Sequence, residues 1–145
     1  MKKVLFFAAA ILLFAQCGKR KQYSHWKVNG KEYSSNNVEK AVGSGSGGYL
    51  SCMDQEARFS LYFDCTCLPI GGEYQIVKDV NSTSGLVEVT ICFNSRCYNV
   101  SEHEQKMLSS SNQNKKARYE MPPTWFVNFN NPTDSILVEG TFNES

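Results

Sequence analysis

The side chains with the most reactive chemistry are those of six cysteines. Two of them, Cys92 and Cys97, flank a four-residue turn, Phe93 to Arg96. Residues that face each other across such a hairpin can come within the Cβ separation of about 3.5–4.5 Å that a disulfide requires. The spacing therefore predicts a Cys92–Cys97 disulfide.

Three other cysteines, Cys52, Cys65 and Cys67, precede this pair. Cys65 and Cys67 lie two positions apart on one face of a predicted strand, about 6.6 Å from each other, and are poorly placed to bond together. We expect Cys52 to form a disulfide with one of them, because Lys2 and Lys3 followed by the apolar run Val4 to Ala15 indicate export to an oxidising compartment. The remaining thiol would be buried and inert on the inward face beside Phe63.

The alternative for these cysteines is a metal site. Cys65, Cys67, Cys92 and Cys97 offer the four thiolates that structural zinc requires. The two-residue spacings typical of such sites are missing, and an oxidising compartment works against thiolate ligands. A dithiol redox centre would need Cys-x-x-Cys at the start of a helix, which this sequence lacks. We predict no metal and no other cofactor.

Residue types for other catalytic chemistry are scattered. The two histidines, His25 and His103, do not form a zinc-protease motif, and His25 is predicted to point to solvent from the first strand. The glycines of residues 43–48 lack the lysine and the following helix of a phosphate-binding loop. No nucleophile elbow and no carboxylate pair of a hydrolase is recognisable. We therefore expect a domain that is not an enzyme and has no catalytic residues.

The charge of the chain gives no case for nucleic acid as a partner. Lys and Arg number 15 and Asp and Glu number 14, whereas nucleic-acid-binding proteins carry a basic patch or stripe. The one basic cluster, Lys19 to Lys21, directly follows Cys17-Gly18. It is better suited to contact anionic lipid headgroups.

The first residues have the pattern of a secretory signal. Lys2 and Lys3 precede an uncharged apolar run of twelve residues, Val4 to Ala15. As a helix this run would span roughly 18 Å, well short of the roughly 30 Å hydrocarbon core of a bilayer. It is too short for a transmembrane helix and fits the apolar region of an export signal.

Cys17 follows this run within the segment Phe14-Ala15-Gln16-Cys17-Gly18. A cysteine at this place resembles the lipobox of bacterial lipoproteins. The resemblance implies that residues 1–16 are a cleaved signal peptide, that Cys17 is acylated with membrane lipid, and that residues 17–22 form a lipidated tether. The alternative is an ordinary signal cut nearby, which would leave Cys17 as a spare thiol.

Residues 23–145 have the alternation of β-strands. In Ala57 to Cys67, and again in Leu86 to Phe93, every second residue is apolar, as in a sheet with one face on a core and one in water. Asn29-Gly30 lies between strand-like segments and predicts a type I′ hairpin. We predict a single all-β domain of about eight antiparallel strands, a β-sandwich or a partly open β-barrel.

Two stretches are predicted to be loops. Residues 36–48 are polar and rich in glycine, with at most a weak strand. Residues 101–123 are polar and end in Pro122-Pro123, with at most a helical turn at residues 102–108. Two strands, 124–129 and 135–142, would end the chain. In the second of them Gly140 leaves a gap on the inward face, which Trp125 could cover. A β-bulge at Gly140 is the equal alternative.

The wider pattern also resembles a known group. A lipobox, an opening Trp-Lys-Val-Asn-Gly-Lys-Glu-Tyr at residues 26–33 and a closing Val-Glu-Gly-Thr-Phe at residues 138–142 are similar to small outer-membrane lipoproteins of Bacteroidetes-type bacteria. That group is largely without assigned activity. The resemblance implies a β-rich fold and an outer-membrane location, on either the periplasmic or the surface side, and brings no catalytic residues.

Three function classes stay open. The first is a binding or accessory module for an envelope protein or a glycan, which would use loops and the aromatic residues Tyr62, Tyr98 and Tyr119, expected to be exposed. The second is an inhibitor or immunity-type partner of another protein. The third is a small enzyme or a thiolate metal carrier.

Overall fold

The computed structural model describes residues 22–43, 47–80 and 84–144. The predicted signal peptide and the anchor at Cys17 lie outside these ranges. The described residues form an all-β domain, which confirms the predicted fold class, and they include no helix that is long and apolar enough to cross a membrane.

The described residues form eleven strands where about eight were expected. In chain order they are β1 (Ser24–Val28), β2 (Lys31–Ser35), β3 (Asn37–Gly43), β4 (Gly47–Met53), β5 (Ala57–Phe63), β6 (Gly72–Val77), β7 (Leu86–Phe93), β8 (Arg96–Val100), β9 (Met107–Gln113), β10 (Lys116–Asn128) and β11 (Asn131–Asn143).

All the strands belong to one sheet with the order β2-β1-β11-β10-β9-β6-β7-β5-β4-β3. The short strand β8 bridges β7 and β10 at one end, while β6 and β9 bridge them at the other. All pairs are antiparallel except β6 with β7, where Gln75 lies opposite Leu86 in parallel register. The predicted purely antiparallel sheet is therefore corrected to a mixed one.

The two edge strands, β2 and β3, are consecutive in the chain and are joined by one residue, Asn36, so the sheet curls round to bring its edges together. Ser35 Oγ donates to the Met53 carbonyl of β4, and the Asn37 amide donates to Ser35 Oγ over 2.9 Å. Across the core the rings of Phe59 and Phe142 stack with centroids 3.5 Å apart. These contacts join the β1–β2–β11 side to the β3–β4–β5 side in a barrel-like shell.

Local sequence explains the tight turns. Asn29 and Gly30 both have positive φ, 50° and 82°, so the predicted type I′ hairpin between β1 and β2 is confirmed. Asn94 begins the same kind of turn between β7 and β8, and Asn114 does so between β9 and β10. Asparagine tolerates this left-handed region better than most residues. Each turn fixes the register of its hairpin.

The alternation predicted for the middle strands is confirmed. In β5, Ala57, Phe59, Leu61 and Phe63 are buried, while Arg58 on the other face is exposed. A second inward row comes from β7. Its buried residues are Val87, Val89 and Ile91.

The largest correction concerns residues 101–123, which were predicted to be a loop. They contain β9 and the first half of β10, and residues 102–108 hold no helical turn. Pro122 and Pro123 are accommodated because pairing with β9 stops at Glu120 and pairing with β8 starts at Phe126. On the other side the ladder to β11 shifts between Met121 and Thr124. The missing proline N–H groups therefore interrupt no regular ladder.

Residues 36–48 were predicted to be a loop with at most a weak strand, but β3 and the start of β4 occupy most of that stretch. Conversely, the strand predicted for residues 57–67 ends at Phe63, and Cys65 and Cys67 lie in a bend beyond it. The end strands are longer than predicted, since β10 covers 116–128 and β11 covers 131–143.

Another correction concerns the aromatic residue beside Gly140. Trp26, not Trp125, lies directly opposite it in the β1–β11 ladder, and Trp125 is 46% exposed. The alternative bulge occurs in the neighbouring strand, at Pro122-Pro123 of β10, rather than at Gly140.

Two aromatic residues expected on the surface are in the core. Tyr98 and Tyr119 are buried, while Tyr62 is partly exposed. Both buried hydroxyls donate hydrogen bonds, Tyr98 to Asp134 over 3.2 Å and Tyr119 to the Pro69 carbonyl over 3.1 Å. A tyrosine ring can be buried when its hydroxyl finds such a partner.

Candidate functional site

An open cleft of about 760 Å³ crosses strands β1, β2, β11, β10, β9 and β6. Its volume lies within the range of about 300–1,000 Å³ typical of ligand sites. The residues whose polar side chains line it are His25, Lys27, Glu32, Glu73, Ser109, Glu120, Glu139 and Thr141, and its apolar lining includes Met107, Pro122 and Pro123.

Strand register places one row of these side chains straight across the sheet. His25 pairs with Thr141, Thr141 with Glu120, Glu120 with Ser109, and Ser109 with Glu73. Directly opposite residues on one sheet face have Cβ atoms about 4.5–5.5 Å apart. The row therefore puts Glu120 and Glu73 on either side of Ser109, although they are far apart in the chain.

A second row begins with a charged triplet. Lys27 pairs with Glu32 on β2 and with Glu139 on β11, and its Nζ lies 3.5 Å from one carboxylate and 3.8 Å from the other. Exposed ion pairs of this kind contribute about 0.2–1 kcal/mol at most. Lys27 therefore offsets part of the negative charge without closing the cleft.

The bulge at Pro122-Pro123 shapes the middle of the cleft. Met121 and Thr124 of β10 face Gly140 and Val138 of β11, so β10 has one more residue than β11 in this interval. A bulge bends its strand and increases the local twist. It separates the two rows on β10 and leaves the prolines as an apolar wall.

The cleft is rich in carboxylates. Four glutamates line it against one lysine. Glu120 is bound by Arg118 of the same strand, whose Nε lies 3.0 Å from it, while within the described ranges no ion pair involves Glu73. Carboxylates at such a surface accept hydrogen bonds and attract cationic groups. His25 was predicted to face solvent, and it is exposed in the structure.

The cysteine predictions have a mixed outcome. The Cys92–Cys97 disulfide is present across the β7–β8 hairpin, where the two residues are direct partners. The predicted disulfide from Cys52 to Cys65 or Cys67 is wrong. Cys52 lies inside β4 with its thiol 3.1 Å from Ser24 Oγ, and burial raises its pKa to about 11.

Cys65 and Cys67 have left the strand face on which they were predicted. Cys65 is half-buried against the core, Cys67 is exposed, and neither is bonded to another cysteine of the described ranges. Among the described residues, no cluster of three or more His, Cys, Asp or Glu side chains could hold a metal ion.

The acidic row was missed in the sequence because no local motif marks it. Alternation along β10 and β11 places Glu120 and Glu139 on the outward face, which is a readable signal. Their neighbours across the sheet depend on strand order, which alternation does not give. Only the pairing of β9 with both β6 and β10 brings Glu73 to this site.

Comparison with protein-family models, with curated proteins and with solved structures found no significant match for this chain.

Proposed function

We propose that this protein is an exported lipoprotein, held at the outer membrane by acylated Cys17, and that its domain is a non-catalytic binding module. The sequence supports the anchor through the short apolar run, Val4 to Ala15, which Cys17 closely follows. The resemblance to small outer-membrane lipoproteins supports the same location. The observation that carries the binding role is the acidic cleft on the outward face of the sheet.

The ligand that fits this cleft is a basic segment of another envelope protein. Four glutamates face one lysine there, so the site is short of positive charge. Glu73, without an ion pair in the described residues, has its carboxylate available for an incoming lysine or arginine. Charged groups of opposite sign across an interface speed encounter and fix register more than they raise affinity.

An exposed aromatic side chain beside the cleft favours a protein as the partner. The outward positions of β10 continue from Pro123 to Trp125, which is exposed. Large aromatic residues are enriched where proteins bind each other. The charged cleft and the Trp125 ring together provide the polar and apolar parts of one interface.

The proposal is tested with short defined probes on the purified protein. We expect a tetralysine peptide to bind and to shift the backbone amide resonances of Ser109 and Thr141, whereas tetraglutamate does neither. The Glu73→Gln/Glu120→Gln variant should bind tetralysine about three- to tenfold more weakly, because exposed charge pairs contribute about 0.2–1 kcal/mol each. Binding should also weaken as salt is raised.

The matched control removes two exposed acidic groups outside the cleft, in Asp79→Asn/Glu102→Gln. It changes the net charge equally and should leave tetralysine binding unchanged. If both variants bound tetralysine equally weakly, overall charge would explain the effect, and the proposal that the cleft binds basic peptides would be contradicted. If a neutral tetrasaccharide shifted the same amide resonances and tetralysine shifted none, the ligand of the cleft would be a glycan and not a basic peptide.

A further inference from the structure

The bend after β5 holds two cysteines that are not bonded to each other. Cys65 and Cys67 are separated by Thr66, and the Cys65 thiol donates to the Cys67 carbonyl over 2.7 Å. An extended strand would keep such residues about 6.6 Å apart. The chain is bent here instead, with the Cys65 amide donating to the Phe63 carbonyl over 2.8 Å. The two cysteines are therefore not held in the extended geometry that keeps such residues apart.

The two thiols also influence each other. Partial burial raises the pKa of Cys65 above its ordinary value, and a backbone hydrogen bond at Cys67 opposes this. The neighbouring Cys67 thiol raises the pKa of Cys65 again. The geometric link between the two residues is the 2.7 Å contact from the Cys65 sulfur to the Cys67 carbonyl oxygen.

Contacts on both sides hold this bend in place. A side chain on Gly48 would come within 2.2 Å of the Cys67 carbonyl oxygen, so the glycine lets the loop lie flat on β4. Two residues further on, the Pro69 carbonyl accepts hydrogen bonds from Ser110 Oγ over 2.8 Å and from Tyr119 over 3.1 Å. The pair is therefore presented by an ordered loop.

We propose that Cys65 and Cys67 form a thiol–disulfide exchange site that reacts with small disulfides and closes into a reversible Cys65–Cys67 disulfide. Cys67 is exposed and reacts first with the incoming disulfide, whereas half-buried Cys65 reacts in the second step. This differs from the Cys-x-x-Cys centre that the sequence lacks, since one intervening residue suffices in a bent loop. The site is separate from the acidic cleft and does not depend on its ligand.

The exchange is balanced in two steps. The Cys67 thiolate attacks one sulfur of the incoming disulfide, its S–S bond breaks, and the first thiolate leaves. The Cys65 thiolate then attacks the Cys67 sulfur of the mixed disulfide, and the second thiolate leaves. The two protons from Cys65 and Cys67 go to the leaving thiolates. The dithiol is thus oxidised by two electrons, and the small disulfide is reduced to two thiols.

The test uses the full lipidated protein in detergent, reduced and then exposed to mixtures of oxidised and reduced glutathione. Free thiols are blocked with N-ethylmaleimide, the protein is digested, and the mass of the peptide that contains residues 65–67 is measured by mass spectrometry. We expect it to lose both thiol hydrogens as the share of oxidised glutathione rises, and to regain them with dithiothreitol. Buried Cys52 is the internal control and should react at least about tenfold more slowly than Cys67.

Single variants separate the two roles. Cys65→Ser should accumulate a stable mixed disulfide of Cys67 with glutathione, because no second thiol resolves it. Cys67→Ser should react slowly at Cys65. A wild-type peptide that keeps both thiols, or that carries glutathione on both cysteines without an internal disulfide, would overturn the proposal. Unchanged β-sheet circular dichroism in both variants shows that their folding is intact.

Discussion

Trp26 and Gly140 lie directly opposite each other in the β1–β11 ladder, and a Cβ atom at position 140 would come 2.7 Å from the Trp26 Cβ. The same atom would lie 2.7 Å from the His25 carbonyl oxygen, which belongs to the backbone and cannot rotate away. Position 140 therefore accepts only glycine without a shift of β1 against β11. The indole of Trp26 is buried beside this contact, between Tyr33 and Phe142.

Gly140→Ala is expected to destabilise the fold by about 1–3 kcal/mol, the usual cost of forcing extra volume into a packed interior. Urea denaturation measures it as a lower midpoint. The control is Thr141→Ala, which changes a partly exposed neighbour and should move the midpoint little. A midpoint for Gly140→Ala equal to that of the wild type would contradict the close approach of the two strands.

Phe142→Ala is expected to cost about 3–5 kcal/mol, because it removes a fully buried ring that stacks on Phe59. The matched variant Phe129→Ala truncates an exposed ring and should stay within about 0.5 kcal/mol of the wild type. Similar losses in the two variants would mean that the β5 and β11 sides do not pack through Phe142.

The Asp134 carboxylate is a hub for three donors. Its Oδ2 accepts hydrogen bonds from Asn128 over 2.9 Å, Arg96 over 3.0 Å and Tyr98 over 3.2 Å. The Asn128 bond first, and those of Tyr98 and Arg96 after it, lower the pKa of Asp134 below its ordinary value. A carboxylate with a lowered pKa in the folded state stabilises the fold above its unfolded pKa, and this stabilisation is lost as pH falls through the folded value.

Asp134→Asn should therefore unfold at lower urea than the wild type at pH 7. The difference should shrink as pH is lowered below about 4, the usual pKa range of aspartate, because the wild-type carboxylate is then protonated too. Urea midpoints at pH 7 and pH 3 measure this. Asp64→Asn, in the exposed bend, is the control. A gap that stays constant with pH would exclude the charge of Asp134 as its cause.

Cys17→Ala is expected to move the protein from the membrane fraction to the soluble fraction. The physical reason is that acyl chains bind a bilayer through about 0.8 kcal/mol per buried methylene, and alanine accepts none. Cell fractionation with immunoblotting measures the distribution, and Cys67→Ala is the control that should remain with the membrane. Unchanged retention of Cys17→Ala would place the anchor elsewhere.

Local sequence was enough to predict the features that depend only on residues close together in the chain. The alternation of Phe59, Leu61 and Phe63 indicated a strand with one buried face, because side chains alternate across any strand. Asn29-Gly30 indicated a hairpin, since both residues accept positive φ. The Cys92–Cys97 disulfide was predictable for the same reason, as a short turn alone brings its two residues opposite each other.

Tertiary structure decided what depends on partners far away in the chain. The polar stretch before Pro122 forms β9 and the first half of β10 because β6 and β11 supply hydrogen bonds on its two sides, which outweighs its loop-like composition. Cys52 is unpaired because strand β4 carries it to Ser24, away from the bend that holds Cys65 and Cys67. Glu73 and Glu120 lie on either side of Ser109 only because the strand order places β9 between β6 and β10. Alternation fixes which face a side chain takes, but hydrogen bonds between distant strands choose its neighbours.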